Sequence, residues 1–402
     1  MLLIKNGNLI TMAGMYEQTG DILIDDGKIV KVGQVGEVPE DCQIIDAAGR
    51  TVTPGLVDPH CHAGLWGTAC REEMDGNEYT EPVLPGLRGL DAINPEDATF
   101  DAALRQGITT VVTGPGSSNI VGGTFLAIKT AGEDMESRVI CPELAMKMAL
   151  GENPKMTFGN RGKAPRTRMM SAALMREELF KAKEYYENYK LHGQEPDFPF
   201  DFHLHSLMRV FEGMRVKIHA HQADDIQTAV RVANEFGLHY SIEHCTEGWM
   251  IPEFLKKNNA ECLLGPTVGG KSKIECQNRS YEAGRILEEA GVTFALITDA
   301  PFVPIEDQLL QVILYVKNGM SREMGIRSVT LNAAKITDID SRVGSIEPGK
   351  DADLVFLDWD YEIVIWDVEP LDTMYQAGIV LIDGKIAYER KAGESNVDYQ
   401  KL

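Results

Sequence analysis

The chain of 402 residues carries 61 Asp and Glu against 39 Lys and Arg, a formal net charge of −22. A surface that acidic repels phosphate backbones and anionic headgroups, which excludes nucleic acid and membrane as main partners and leaves small molecules. With 44% hydrophobic and 25% charged residues it can bury a large core, enough for two or three ordinary domains or one large α/β barrel with additions.

In chain order, the opening MLLIKNGNLITM shows no basic region ahead of a long apolar core, and no run of about 18 apolar residues follows, so a soluble cytoplasmic protein is predicted. Its seven Cys are odd in number and scattered, which argues against a disulfide framework. The first fifty residues alternate in short runs, LLIKNGNLI, DILIDDGKIVKVG and QIIDAAGRTVTP, around Asn-Gly and Asp-Gly pairs that favour tight hairpins. Residues 1–54 are therefore read as the N-terminal part of a small β-sandwich.

From residue 55 the pattern changes to short apolar strands followed by longer helical stretches, the signature of βα units. The strand Leu56 to His60 ends in PGLVDPHCH, where extended geometry turns His60 and His62 the same way, a pair able to chelate a divalent metal. Ile108 to Thr113 and Thr124 to Lys129 come next. The Gly-rich segment between them has neither nucleotide-loop spacing.

Leu144 to Leu150 carries Lys147 among apolar neighbours, where it either snorkels to solvent, pairs with Glu143 or Glu152, or serves the site. After that strand, NRGKAPRTR offers Arg161, Arg166 and Arg168 as forks for a carboxylate or phosphate, or as solvated loop charges. The loops TGPGSSN and GPTVGGKSK could supply backbone donors to a substrate. Helices are predicted over Ser171 to Lys190, Asp225 to Phe236 and Tyr281 to Ala290. HLHSLMRVF also reads as helical, and residues two apart on a helix do not share a face, so His203 and His205 are surface residues rather than ligands.

Arg215 to Ala220 leads into His219 and His221, His239 to His244 ends on His244, and Ala260 to Leu264 follows. Thr293 to Thr298 then runs into Asp299. Counted together, these are eight strands of an α/β fold, a (β/α)8 TIM-type barrel over residues 55–342. ADLVFLDWD, YEIVIWDV and IVLIDGKIAYER return to the β-rich style, so residues 343–402 are predicted to complete the sandwich. Polar residues at the carboxyl ends of barrel strands converge on one face. His60, His62, His219, His221, His244 and Asp299 thereby assemble a metal site, and oxygen/nitrogen donors of this kind accept Zn, Mn, Fe, Co or Ni.

Taken with KNGNLIT, DILIDDGKIVKVG, KIHAHQADD, IEHC, ITDAP and NAAKITDIDSRVGSIEPGKDADLVF, the chain resembles the amidohydrolase superfamily of metal-dependent hydrolases, its imidazolonepropionase-like branch in particular. The resemblance implies that His60, His62, His219, His244 and Asp299 hold one or two divalent ions, zinc being expected. Lys147 would be carboxylated to bridge two ions, or replaced in that role by Glu152. His219 is preferred over His221 as the fifth-strand ligand, which leaves His221 to contact substrate or support the site. Many relatives place Glu three residues after that His. Here the position is Gln222, a residue for the substrate side whose amide cannot shuttle a proton.

The implied activity is hydrolysis of a C–N bond in a small amide, cyclic amide or dipeptide, with Asp299 as general base. A single-metal aminohydrolase acting on a heterocycle and a non-catalytic scaffold of the same fold are the alternatives. A homo-oligomer is implied by resemblance only.

Overall fold

Two eight-stranded sheets organise the chain. The computed structural model describes residues 1–66, 74–270, 273–358 and 376–391. The strand predicted over YEIVIWDV, Cys70, and Lys271 and Ser272 of the GPTVGGKSK loop lie outside the described residues. The other six cysteines are free.

The first sheet opens with β1 (Leu2–Ala13), β2 (Met15–Asp25), β3 (Lys28–Gly33), β4 (Gln43–Asp46) and β5 (Thr51–Pro54). The second runs through β6 (Leu56–Cys61), β7 (Ile108–Thr113), β8 (Val121–Lys129), β9 (Val139–Ala149), β10 (Arg215–Ala220), β11 (Tyr240–His244), β12 (Glu261–Leu264) and β13 (Phe294–Leu296) in spatial order. The chain then returns to the first sheet with β14 (Leu354–Asp358), β15 (Gln376–Ile382) and β16 (Lys385–Glu389).

The two chain ends do pair: β14 runs antiparallel to β5, joining Leu354 to Pro54 and Phe356 to Val52. They form one continuous hydrogen-bonded sheet, in which the long β1 branches to β4 at its start and to β5 further along. The Asp-Gly pairs make the expected turns with left-handed backbone, Asp26 and Gly27 at φ 46° and 74°, and Asp383 and Gly384 at 48° and 70°. These two turns meet: a Cβ on Gly27 would lie 3.0 Å from the Asp383 carbonyl oxygen.

The second sheet is a TIM-like barrel with one departure from the predicted parallel order. β8 runs antiparallel to both β7 and β9. The link from β7 to β8 is only residues 114–120, and a parallel return needs a crossover of a dozen residues or more, so the segment turns back as a hairpin. Helices Arg168–His192 and Ala223–Phe236 cover the outside close to their predicted spans, whereas the third is shorter, Ala283–Glu289. His203 and His205 lie on the helix Phe202–Met208, as expected. No described helix is long and apolar enough to cross a membrane.

Backbone bonds beyond the strand ends draw the first and last barrel strands together, with Asp299 N donating to His60 O (3.1 Å) and His62 N to Ala300 O (2.8 Å). The same two bonds set the register of His60 and His62 against Asp299.

At the other end of β8, buried Lys129 ties the barrel to the first sheet. Its Nζ contacts Asp351 (2.7 Å), Asp353 (3.0 Å) and Asp383. Burial pushes the Asp353 carboxyl up to about 6 despite the pull of Lys129. Lys129→Met would remove the cation bonded to buried Asp353 and to the more exposed Asp383, while Asp351 keeps Lys28 and Arg342 (2.7 Å). Breaking a buried ion cluster from one side costs about 3–5 kcal/mol. We expect a melting temperature lower by about 4–6 °C in a thermal scan; a drop below about 1 °C would show that the cluster contributes little.

Candidate active site

Strand alternation sets the inner face of the barrel. Asp58 and His60 on β6, Lys147 on β9 and Lys217 with His219 on β10 all fall on inward positions, and all are buried. Lys147 and Lys217 are paired in register on neighbouring strands. Both ammonium groups lie 5.4 Å from the ring of Phe125, which β8 contributes from below.

Glu243 and His244 are adjacent on β11, so a regular strand would send them to opposite faces. Both reach the site because His244 leaves the strand at φ 70°, with Cys245 at 45°. Asp299 is likewise left-handed, at 56°. Strained backbone at non-Gly residues persists where surrounding structure enforces it, commonly at functional sites.

The imidazoles form two groups. His60, His62 and Asp299 place one ligand atom each within 4.8 Å of one another, and His219, His221 and His244 do the same. Asp299 Oδ1 lies 3.2 Å from His62 Nε2 and 3.6 Å from His60 Nε2. Ligand atoms about 2.1 Å from a tetrahedral zinc would stand about 3.4 Å apart, so these spacings fit a metal.

Tautomers are fixed from behind. His62 Nδ1 donates to Gly114 O (2.7 Å), His244 Nδ1 to Gly265 O (2.9 Å) and His60 Nδ1 to Glu243 Oε2 (2.5 Å), which leaves each Nε2 with a lone pair. His60 Nε2 is buried with no hydrogen-bond partner. His221 Nδ1 meets Thr246 Oγ1 at 2.7 Å.

Burial is the main force holding His60, His219, His221 and His244 well below the ordinary histidine range, and nearby lysines add to it. These rings are neutral near pH 7, the state that binds metal. The donor set, the orphaned nitrogen and the spacings together fit a divalent cation.

Lys147 neither snorkels nor pairs with Glu143 or Glu152. Its Nζ is buried without a hydrogen bond, while Glu143 is taken by Arg209 (2.7 Å). Glu152 instead exchanges hydrogen bonds with Glu275: its backbone N donates to Glu275 Oε2 (3.0 Å) and its Oε2 accepts from Glu275 N (3.3 Å).

Of the residues expected on the substrate side, two are exposed and Gln222 directly follows His221. Arg161 is exposed, donates to Thr157 O (2.7 Å) and stacks on Tyr79, and Arg166 is also exposed. Gln222 caps the start of helix Ala223–Phe236, and its amide oxygen accepts from Arg168.

Four buried residues at the site went unread in the sequence. Lys217 sits two residues before His219, so the alternation that found the histidines could also have found it. Glu243 accepts from Lys217 Nζ (2.8 Å), Ser241 Oγ (2.6 Å) and His60 Nδ1, one carboxylate serving three donors. Asp58, two residues before His60, accepts from Thr298 Oγ1, and burial pushes its carboxyl up to about 7. Glu275 comes from the loop after β12, where no periodicity marks it.

The model of the amidohydrolase family matches residues 51–387. Amidohydrolase tasK of Hapsidospora irregularis is 28% identical over 92% of this chain, which spans 40% of that protein's length. The imidazolonepropionase of Treponema denticola is 26% identical, covering 92% of this chain and 94% of its own. The crystal structure of an amidohydrolase from Thermotoga maritima MSB8 superposes with a TM-score of 0.90 at 36% identity, covering 97% of this chain and all of its own. With the family match running from β5 to β16 and through the whole barrel, the chain belongs to the amidohydrolase family and is an enzyme acting on carbon–nitrogen bonds.

Proposed function

We propose that the protein hydrolyses a C–N bond in a small amide, cyclic amide or dipeptide, using divalent cations held at the mouth of the barrel. The observation that carries this reading is the convergence of two imidazole groups, one completed by Asp299, in a buried cage with fixed tautomers. His60, His62 and Asp299 would hold one cation, with zinc suited to the nitrogen and oxygen donors. His219, His221 and His244 would hold a second, with Lys147 as its carbamate. When bound, such a cation lowers the pKa of water from 15.7 to about 7 and polarises the scissile carbonyl.

The chain's own groups supply the proton traffic. Asp299 takes the proton from the attacking water and passes it to the leaving nitrogen, so the carbonyl carbon gains oxygen as its bond to nitrogen breaks. Lys147 is suited to carboxylation: burial pulls its ammonium down to about 8, although Glu243 and Asp299 pull the other way. The neutral amine present near that pH adds to carbon dioxide and releases one proton. Gln222, with no titratable proton and its amide oxygen held by Arg168, gives aminohydrolase chemistry no shuttle.

The test is a screen of dipeptides, N-acyl amino acids and cyclic amides with protein expressed in zinc or manganese plus bicarbonate, read by mass spectrometry for new amine and carboxylate. Activity that disappears with chelator and returns with metal is expected. Ammonia release from a heterocycle as the sole turnover would replace this reading with deamination. In the same preparations, elemental analysis should find about two ions per chain and about one in Lys147→Ala. An unchanged count in Lys147→Ala would demote the lysine to a structural group.

A further inference from the structure

Glu275 is buried as deeply as any core leucine, yet one of its carboxylate oxygens has no hydrogen-bond donor. Oε2 is satisfied by Glu152 N at 3.0 Å. Oε1 points at the second imidazole group, 3.6 Å from His219 Nε2 and 3.7 Å from His221 Nε2. Lys273 Nζ stands farther off, at 3.9 Å, and is bonded to Asn153 Oδ1 (2.7 Å). Asn153 Nδ2 lies 3.3 Å from His219 Nε2, closing that side of the cage.

A buried carboxylate oxygen with no donor is costly unless something cationic meets it. The surroundings hold Glu275 where it is. Gly151 adopts φ 79°, and a Cβ there would come within 3.0 Å of Glu275 Oε2, so the chain passes the carboxylate at a point only glycine allows. The reciprocal bonds with Glu152 fix both the backbone and the far oxygen. The near oxygen is free, rigid and aimed.

We propose that Glu275 is a metal ligand, the carboxylate of a second divalent-cation site built with His219, His221 and His244. Its distances to the two Nε2 atoms lie close to the roughly 3.4 Å expected between ligands of one tetrahedral ion. The site then mirrors the first, each consisting of imidazoles and one carboxylate, His60 and His62 with Asp299 and the three other histidines with Glu275. A carboxylate also offsets part of the dication's charge, which three neutral imidazoles cannot do. The inference rests on the reading that the strand-end histidines hold divalent cations.

The test compares wild type with Glu275→Gln, which keeps an oxygen for Glu152 N and removes one negative charge. Apo protein is titrated with zinc against a competing chelator, and bound metal is counted by elemental analysis. Loss of about one ion per chain, or a rise of at least about a hundredfold in the dissociation constant of one site, is expected. A variant that keeps the wild-type count and affinity overturns the proposal. Should Glu275→Gln fail to fold, anomalous scattering at the zinc edge from wild-type crystals decides. An ion within about 2.2 Å of Glu275 Oε1 supports the proposal, and a zinc at the three histidines with the carboxylate outside bonding distance refutes it. Failure of the hydrolysis reading would look different, as metal loss in Glu275→Gln with no C–N substrate turned over by wild type.

Discussion

Asp299→Asn is expected to lower kcat by about 10³–10⁴-fold on whichever C–N substrate the screen identifies, with the fold intact and metal still bound. Asn retains an oxygen near His60 and His62, so a donor remains within the 3.2–3.6 Å that Asp299 Oδ1 now keeps from their Nε2 atoms. What it cannot do is take a proton from water and return it to the leaving nitrogen. The backbone that positions Asp299, its N–H bonded to His60 O at a left-handed φ of 56°, is compatible with Asn, which tolerates that conformation better than most residues. The measurement is kcat beside metal content for the same preparation. Activity within tenfold of wild type would remove Asp299 from the proton path. Equal loss of metal and activity would make it a ligand alone.

The site was legible in the sequence wherever strand alternation carried it. His60 with His62 and His219 with His221 are two apart at strand ends, and the structure gathers them with His244 and Asp299. The same rule extends two residues inward to Asp58 and Lys217, whose burial follows from position alone. It could not reach Glu275, which lies on a short turn after β12, or tell that His244 would be rotated by a positive φ. Helix and strand spans were readable from apolar runs, but direction was not. Thr124 to Lys129 has the composition of any buried strand, and only the short link before it shows that β8 must turn back. Arg161 and Arg166 were read from chemical suitability for a carboxylate alone, which says nothing about where a loop folds, and both are exposed.

Lys217 and Glu243 form the charge pair on which His60 depends, and separating them should be among the most damaging single changes in the barrel. Both are fully buried; Lys217 Nζ reaches Glu243 Oε2 at 2.8 Å and Pro59 O at 3.1 Å. Burial pulls the Lys217 ammonium down, and Glu243 opposes it. Lys217→Met leaves a carboxylate in the barrel centre with two hydrogen bonds but no cation bonded to it, at a cost of about 3–5 kcal/mol. Glu243→Gln leaves the ammonium unpaired and weakens the acceptor that sets the His60 tautomer, so it should also loosen metal at His60 and His62 by about 10–100-fold. The double variant removes both charges together. If the pair is coupled as the geometry indicates, the double variant's loss of unfolding free energy in urea will be smaller than the sum of the two single losses by at least about 1–3 kcal/mol. Strict additivity of the two single losses would show that Lys217 and Glu243 act independently.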